Sequence, residues 1–258
     1  MLTGKVAIVT GGATLFGKAV AATLAEQGAN VVVADIDDAG GQASASAAGG
    51  IFVHTDITDD AQVADLVART VAEFGGVDVL VNLACSYGDE GAATTRAQWL
   101  STLDVNLVSA AMLGVAVQPL MAARGGGSIV NLSSISSKCA QTGRWAYPVS
   151  KAAMVQLTRN MAMDFAGDRI RVNSVSPGWT WSAIMDTLTE GNRAKTDSVA
   201  AAFHLTKRAG DPEEVAKVIA FLASDAASVV TGADWAADGG YSAMGPEQAA
   251  PAIPLLMS

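Results

Sequence analysis

Tyr147 and Lys151 lie four residues apart in the run Tyr147-Pro148-Val149-Ser150-Lys151, and Ser134 stands thirteen positions before the tyrosine. Pro148 favours a helix opening here, because its φ is already helical and a first turn does not need its missing N–H. Residues i and i+4 share one helix face, so the phenol and the ammonium would point into the same space. A neighbouring cation stabilises a phenolate, and Tyr147 is therefore expected to titrate closer to neutrality than its reference value of about 10. A phenol tuned in this way can exchange a proton with an alcohol or a carbonyl. Tyr and Lys meet at this spacing by chance in many helices, so the pair needs support from elsewhere in the chain.

That support stands near the N-terminus. Residues 5–10, Lys-Val-Ala-Ile-Val-Thr, form a short apolar run rich in β-branched side chains, the pattern of a buried parallel strand. Gly11-Gly12-Ala13-Thr14-Leu15-Phe16-Gly17 follows at once, and a helical pattern over 18–27 stops at Gly28, a C′ position. Strand, glycine loop and helix together make a phosphate cradle. The backbone can approach closely, and the helix N-terminus offers free N–H groups and a positive dipole end. The next strand, 30–35, ends in Asp35, eighteen residues after Gly17. An acid there can accept hydrogen bonds from an adenosine ribose and would repel a 2′-phosphate. A structural turn with a surface aspartate is the plainer reading, but order, spacing and terminal acid together favour a dinucleotide site.

The elements that must position these groups alternate along the whole chain. Strand-like runs at 5–10, 30–35, 51–55, 77–83, 128–132, 169–175 and 234–236 are separated by helical stretches. The pattern predicts an α/β, doubly wound Rossmann fold, a seven-stranded mostly parallel sheet flanked by helices on both faces. No linker or composition break divides the 258 residues, so one domain over 1–258 is expected. The Ala/Gly/Ser stretch 39–50 reads as a helix end plus loop.

A net charge of −9 without a basic patch argues against nucleic-acid and anionic-membrane partners. Cys85 and Cys139 make no disulfide framework and no zinc spacing, so no metal is expected. The first strand begins too early to leave room for a signal peptide. The longest apolar stretch, 107–123, contains Ser109, Gln118 and Pro119 and falls short of a membrane span. It reads as a helix buried on more than one side. A soluble cytoplasmic protein is the expectation.

Taken together, these motifs resemble the short-chain dehydrogenase/reductase family over nearly the whole chain, from Leu2 to Gly240. The family's glycine loop corresponds to Thr10 through Gly17, its active-site pair to Tyr147 and Lys151, its serine to Ser134 and its helix asparagine to Asn106. Its segment after the sixth strand corresponds to Asn173-Ser174-Val175-Ser176-Pro177-Gly178, and Arg208-Ala209-Gly210-Asp211-Pro212 and Asp238-Gly239-Gly240 match later landmarks. The resemblance implies that Ser134 holds a substrate oxygen and Tyr147 is the acid/base. It implies that Lys151 lowers the phenol pKa and holds the nicotinamide ribose, while Asn106 anchors a water linking Lys151 to solvent. Hydride would pass between substrate carbon and nicotinamide. Cofactor contacts are implied for Gly11, Thr14, Leu15, Phe16, Gly17, Asp35, Asp56, Ile57, Asn82, Ala84, Tyr147, Lys151, Pro177, Gly178 and Thr180. Asp56 would face the adenine amino group, or alternatively cap a helix over 59–71. An acid at Asp35 goes with NAD(H) in this family, and Ile36 and Thr14 offer no cation to a 2′-phosphate.

Two departures from the family pattern lie near the dinucleotide. Leu15 replaces the middle glycine of the loop. A left-handed backbone there would cost about 1–2 kcal/mol, whereas a helical one would accept leucine and change only the pocket width. The family's Asn-Asn-Ala-Gly is Asn82-Leu83-Ala84-Cys85. Asn82 can still bridge strands, and Cys85 is read as a small buried hydrophobe in preference to a redox thiol.

Family resemblance places a substrate lid over about 179–207, with Trp179, Trp181 and Met185 lining an apolar pocket beside Trp145 and Ser136. Tryptophans packed under a loop are the competing reading. No Arg/Lys cluster suits a carboxylate, though Arg144 and Lys138 keep that option open. The expected substrate is a small or medium secondary alcohol or ketone, cyclic or hydrophobic. Apolar helices over 103–123 and 147–166 resemble the pair that builds the family's homotetramer. The tail 241–258, broken by Pro246, Pro251 and Pro254, is expected to pack on a neighbouring subunit. The leading function is an NAD-dependent alcohol dehydrogenase or carbonyl reductase. A reductase of acyl-thioester ketones and a weak or inactive cofactor-binding protein of the same fold are the alternatives.

Overall fold

A computed structural model describes residues 1–245 and 252–257. All seven strands form one parallel sheet: β1 Val6–Thr10, β2 Asn30–Asp35, β3 Ile51–His54, β4 Val79–Asn82, β5 Gly127–Leu132, β6 Ile170–Pro177 and β7 Asp234–Ala237, in the order β3-β2-β1-β4-β5-β6-β7. The helices are α1 Leu15–Glu26, α2 Asp38–Ala47, α3 Asp60–Phe74, α4 Arg96–Leu103, α5 Ser109–Ala123, α6 Ala146–Asp164, α7 Ala183–Thr189, α8 Arg193–Ala200, α9 Pro212–Ala223 and α10 Ala252–Met257.

The strands read as unbroken apolar runs because both sheet faces are covered. Ala7, Val9, Val31, Val33, Val79 and Val81 face one core with Val20 and Leu24 of α1 and Val215 and Ile219 of α9. Their neighbours Ile8, Val32, Leu80 and Ile129 face the other core, against Leu66 of α3, Leu113 and Val117 of α5 and Met161 of α6. Period-two alternation thus feeds two cores from one set of strands.

Strand order reverses between β1 and β4, the switch point beyond whose C-terminal strand ends doubly wound sheets form their binding crevice. The Thr10 hydroxyl ties the crevice floor, accepting from Leu83 N at 3.1 Å and Ala84 N at 3.3 Å.

Three expectations are corrected. Residues 39–50 are mostly helix: α2 starts at Asp38, because the Asp37 side chain accepts from Gly40 N. The first helix begins at Leu15 rather than residue 18, because Thr14 caps it, accepting from Gly17 N at 3.0 Å. The apolar stretch 107–123 belongs to a helical run of 28 residues from Arg96 to Ala123, and by length and composition that run is long and apolar enough to cross a membrane. Its placement is that of a helix buried on one side only, not on more than one as expected: Asn106 and Ser109 are buried and Leu113, Val117 and Met121 pack on the sheet, while Val108, Met112 and Val115 are exposed. The tail expectation falls partly on 246–251 and 258, outside the described residues.

Candidate active site

Helix α6 starts at Ala146, so Pro148 is its third residue and still lies in the first turn, where its missing N–H does no harm. No side chain of α6 or of Trp145 caps this end. Asp89, from the loop after β4, does so: it accepts from Trp145 N at 2.9 Å, Tyr147 N at 2.8 Å and Gly91 N at 3.0 Å. Burial pushes its carboxyl up, but the N–H groups of Trp145, Tyr147, Gly91 and Ala146 outweigh it and hold Asp89 at about 2.

Helical spacing places Lys151 on the face of Tyr147, both buried, with Nζ 5.6 Å from the ring centroid. The ammonium donates to the Leu132 carbonyl at 2.8 Å, and the Ser133 hydroxyl donates to the Lys151 carbonyl at 2.9 Å, which pins the helix to the end of β5. Ser134, just past that strand, stands beside the phenol and favours its charged form. Its hydroxyl accepts from Ser136 N at 3.2 Å. The structure therefore brings Ser134, Tyr147 and Lys151 into one group.

The expected downward shift of Tyr147 is overturned. Burial pushes the phenol up to about 12, and Cys85 nearby adds to the rise. Ser134, Tyr87 and the charge of Arg144 only partly offset them. The charged form loses more hydration than its neighbours return, and the Lys151 ammonium is engaged by a carbonyl. Sequence reasoning missed Tyr87 and Asp89. The Tyr87 ring stacks on Tyr147 at 5.1 Å and 22°. Both residues follow the β4 motif at the C-terminal edge of the sheet, the one positional signal that could have found them.

Asn106 sits in a π-helical turn, Asp104–Val108, between α4 and α5. Its amide accepts from Ser86 N at 2.6 Å and donates to the Ser86 carbonyl at 3.0 Å and Ser150 Oγ at 3.1 Å. It ties the β4 loop to α6, and none of these bonds reaches Lys151. π-turns concentrate at functional positions, and this one turns Asn106 toward the site.

On the cofactor side the loop folds tightly. A Cβ on Gly17 would lie 2.2 Å from the Gly11 carbonyl, and one on Gly11 would lie 2.8 Å from the Ala84 backbone, so only glycine fits at either point. Leu15 and Phe16 occupy the first turn of α1, and no hydrogen bond within the described residues engages their N–H groups. Leu15 is helical and costs no left-handed strain. Asp35 accepts from Ala13 N at 2.9 Å and Asp37 N at 3.0 Å, which holds its carboxylate beside the loop, with Ile36 exposed next to it. Free donors at the helix end and an acid at the end of β2 fit the pyrophosphate and ribose of a dinucleotide.

The remaining candidates fall around this crevice or beside it. Asp56 is exposed and accepts from Thr58, while Asp59 caps α3, so the capping alternative for Asp56 is excluded. Ile57 packs under the sheet edge. Asn82 donates to Asn131 Oδ1 at 2.8 Å, the expected strand bridge. Leu83 is buried in the core, whereas Cys85 is half-exposed and not the buried hydrophobe expected. Pro177 ends β6, and Gly178 and Thr180 continue past it, with the Thr180 hydroxyl donating to the Gly178 carbonyl at 3.3 Å.

The aromatic residues divide. Trp179 packs its ring on Phe203 at 5.1 Å, and its backbone N–H donates to Nε2 of the buried His204 at 3.2 Å. It lines a cavity of about 250 Å³ with Thr206, Gly210 and Asp238, none of them in the Tyr147 group. Trp181 lies under the Arg193 guanidinium at 5.4 Å, and Met185 is half-buried in α7. Trp145 is 54 % exposed, and Ser136 is buried with an unpartnered hydroxyl.

A family model described as enoyl-(acyl carrier protein) reductase matches residues 11–242. The chain is 40 % identical to cis-4-hydroxycyclohexanecarboxylate dehydrogenase from Sinomonas cyclohexanicum, over 93 % of this chain and 97 % of that protein. It is 37 % identical to 2,5-dichloro-2,5-cyclohexadiene-1,4-diol dehydrogenase from Sphingobium indicum, over 94 % and 99 %. The crystal structure of levodione reductase superposes with a TM-score of 0.87 at 30 % identity, covering 95 % of this chain and all (100 %) of that one.

Proposed function

Because the chain belongs to the short-chain dehydrogenase/reductase family, we propose that it is an NAD(H)-dependent oxidoreductase interconverting a cyclic secondary alcohol and its ketone. The observation that carries this reading is the convergence of Ser134, Tyr147 and Lys151 beside a glycine loop whose flanking acid is Asp35. All 258 residues serve as one catalytic domain in this reading. The names of two relatives, dehydrogenases of a hydroxycyclohexanecarboxylate and a cyclohexadienediol, support a ring-bearing alcohol.

The nicotinamide cofactor, when bound, supplies the hydride acceptor or donor. Leu15 N, Phe16 N and Asp35 would hold its pyrophosphate and ribose, and Lys151 its nicotinamide ribose. Ser134 holds the substrate oxygen. In reduction, Tyr147 Oη gives its proton to that oxygen as the carbon gains hydride. In oxidation, the phenolate takes the hydroxyl proton back. A phenol held protonated through neutral pH is set for the donating direction.

A second reading, reduction of acyl-thioester ketones, draws on the description of the matching family model. Asp35 opposes it where such chemistry uses a 2′-phosphorylated cofactor. The inactive-protein alternative loses most of its motive, since Leu15 lies in a regular helix and Leu83 in the core. The deciding experiment measures turnover of cyclohexanol with NAD⁺ and of cyclohexanone with NADH, with Tyr147→Phe as control. Turnover reduced about 10²–10⁴-fold in the variant is expected. Equal rates in both proteins would sink the assignment.

A further inference from the structure

Arg144 is a cation beside the candidate acid/base with no counter-ion among the described residues. Its guanidinium carbon lies 4.5 Å from the Tyr147 ring centroid and 5.7 Å from that of Tyr87. Among the described residues no carboxylate pairs with it and no hydrogen bond engages it. Arg124, Arg193 and Arg208 have their donors engaged, on Asp78, on Asp197 and Asp211, and on Glu214, and the likewise unpaired Arg69, Arg96 and Arg169 are exposed, whereas Arg144 is half-buried against two rings. Packing on a ring face uses the attraction of the π-system and leaves the in-plane N–H donors for another partner. The stack on Tyr147 and Tyr87 also fixes the side chain in place, so little rotamer freedom is lost when a partner arrives.

The surroundings favour an anion. Lys151 is the second cation at the same phenol, which makes a local positive field in a chain of net charge −9. Asp89, which caps the helix that begins just after Arg144, has its oxygens turned to backbone N–H groups. Lys138, the other cation considered for this role, is paired with Asp234 at 2.9 Å. Planar guanidinium donors match a carboxylate in bidentate fashion.

We infer that Arg144 is a specificity-determining residue that binds a carboxylate carried on the ring of the substrate, while the ring hydroxyl or ketone lies at Ser134 and Tyr147. This rests on the proposed alcohol–ketone chemistry and narrows its substrate class to hydroxy or oxo cycloalkanecarboxylates.

The test is calorimetric binding of cyclohexanecarboxylate and of uncharged cyclohexanecarboxamide to wild type and to Arg144→Gln, with NADH present. Wild type should hold the carboxylate roughly tenfold or more tighter than the amide, as charge-assisted bidentate bonds provide. Arg144→Gln should erase that preference. Equal affinity for the two probes in wild type, or no measurable affinity for either, overturns the inference. So does a preference that survives the substitution, or an equal loss for both probes, which would mark Arg144 as acting on the phenol alone. Turnover of neutral cyclohexanol tests the alcohol–ketone chemistry independently, so the two failures stay distinguishable.

Discussion

Tyr147 is buried beside two cations, yet its phenol is shifted upward, because lost hydration outweighs Arg144 and Ser134. In cofactor-free protein, the tyrosinate absorbance that separates wild type from Tyr147→Phe should therefore be absent through neutral pH and emerge only above about pH 10. Ionisation near neutrality would contradict it. A positively charged nicotinamide would draw the phenol down, so a lower kinetic pKa in oxidation would measure the cofactor's share. Asp35 carries the second prediction at this scale. Its carboxylate is fixed beside the loop by Ala13 N, and among the described residues no cation pairs with it. Asp35→Ala with Ile36→Arg should shift preference toward NADP(H) by about 1–2 kcal/mol, roughly five- to thirtyfold in kcat/KM. Unchanged selectivity would remove Asp35 from the cofactor site.

At the scale of elements, α6 carries the tyrosine and the lysine and is held at its start by a residue from another segment. Asp89 caps it from the β4 loop, and Lys151 and Ser133 fasten its second turn to β5. An acid at a helix N-terminus also meets the positive end of the helix dipole. Since Asp89 is depressed to about 2 in the fold, its contribution is complete above its unfolded pKa of about 4 and is lost as pH falls toward 2. Asp89→Asn should lower stability by about 1 kcal/mol at neutral pH. It should also flatten the acid limb between about pH 4 and 2. A denaturant midpoint that does not move at neutral pH would show that the cap contributes nothing.

At the scale of the molecule, α5 exposes Met112 and Val115, and α6 exposes Val149 and Met163. Apolar side chains on two neighbouring helices favour association. Light scattering should give a homotetramer, and a monomer at micromolar concentration would end that expectation. The Trp179–Phe203–His204–Tyr241 cluster ties the segment after β6 to the end of the sheet, so the 179–207 segment is anchored at both ends.

The strands, their parallel order and the Tyr147/Lys151 spacing were legible in the chain. Each is a local pattern: β-branched runs between helices, a glycine loop after a strand, two residues one helical turn apart. The capping of α6 by Asp89, the ring stack of Tyr87 and the unpaired state of Arg144 were not legible, because each depends on a contact between distant segments. Leu15 shows the boundary well: its residue type left two backbones open, and the Thr14 cap selected the helical one. The upward shift of Tyr147 marks the same limit. Residue type and spacing identified a cation beside a phenol, but how much water burial removes from that phenol is set only when the loops after β4 and β5 close over it.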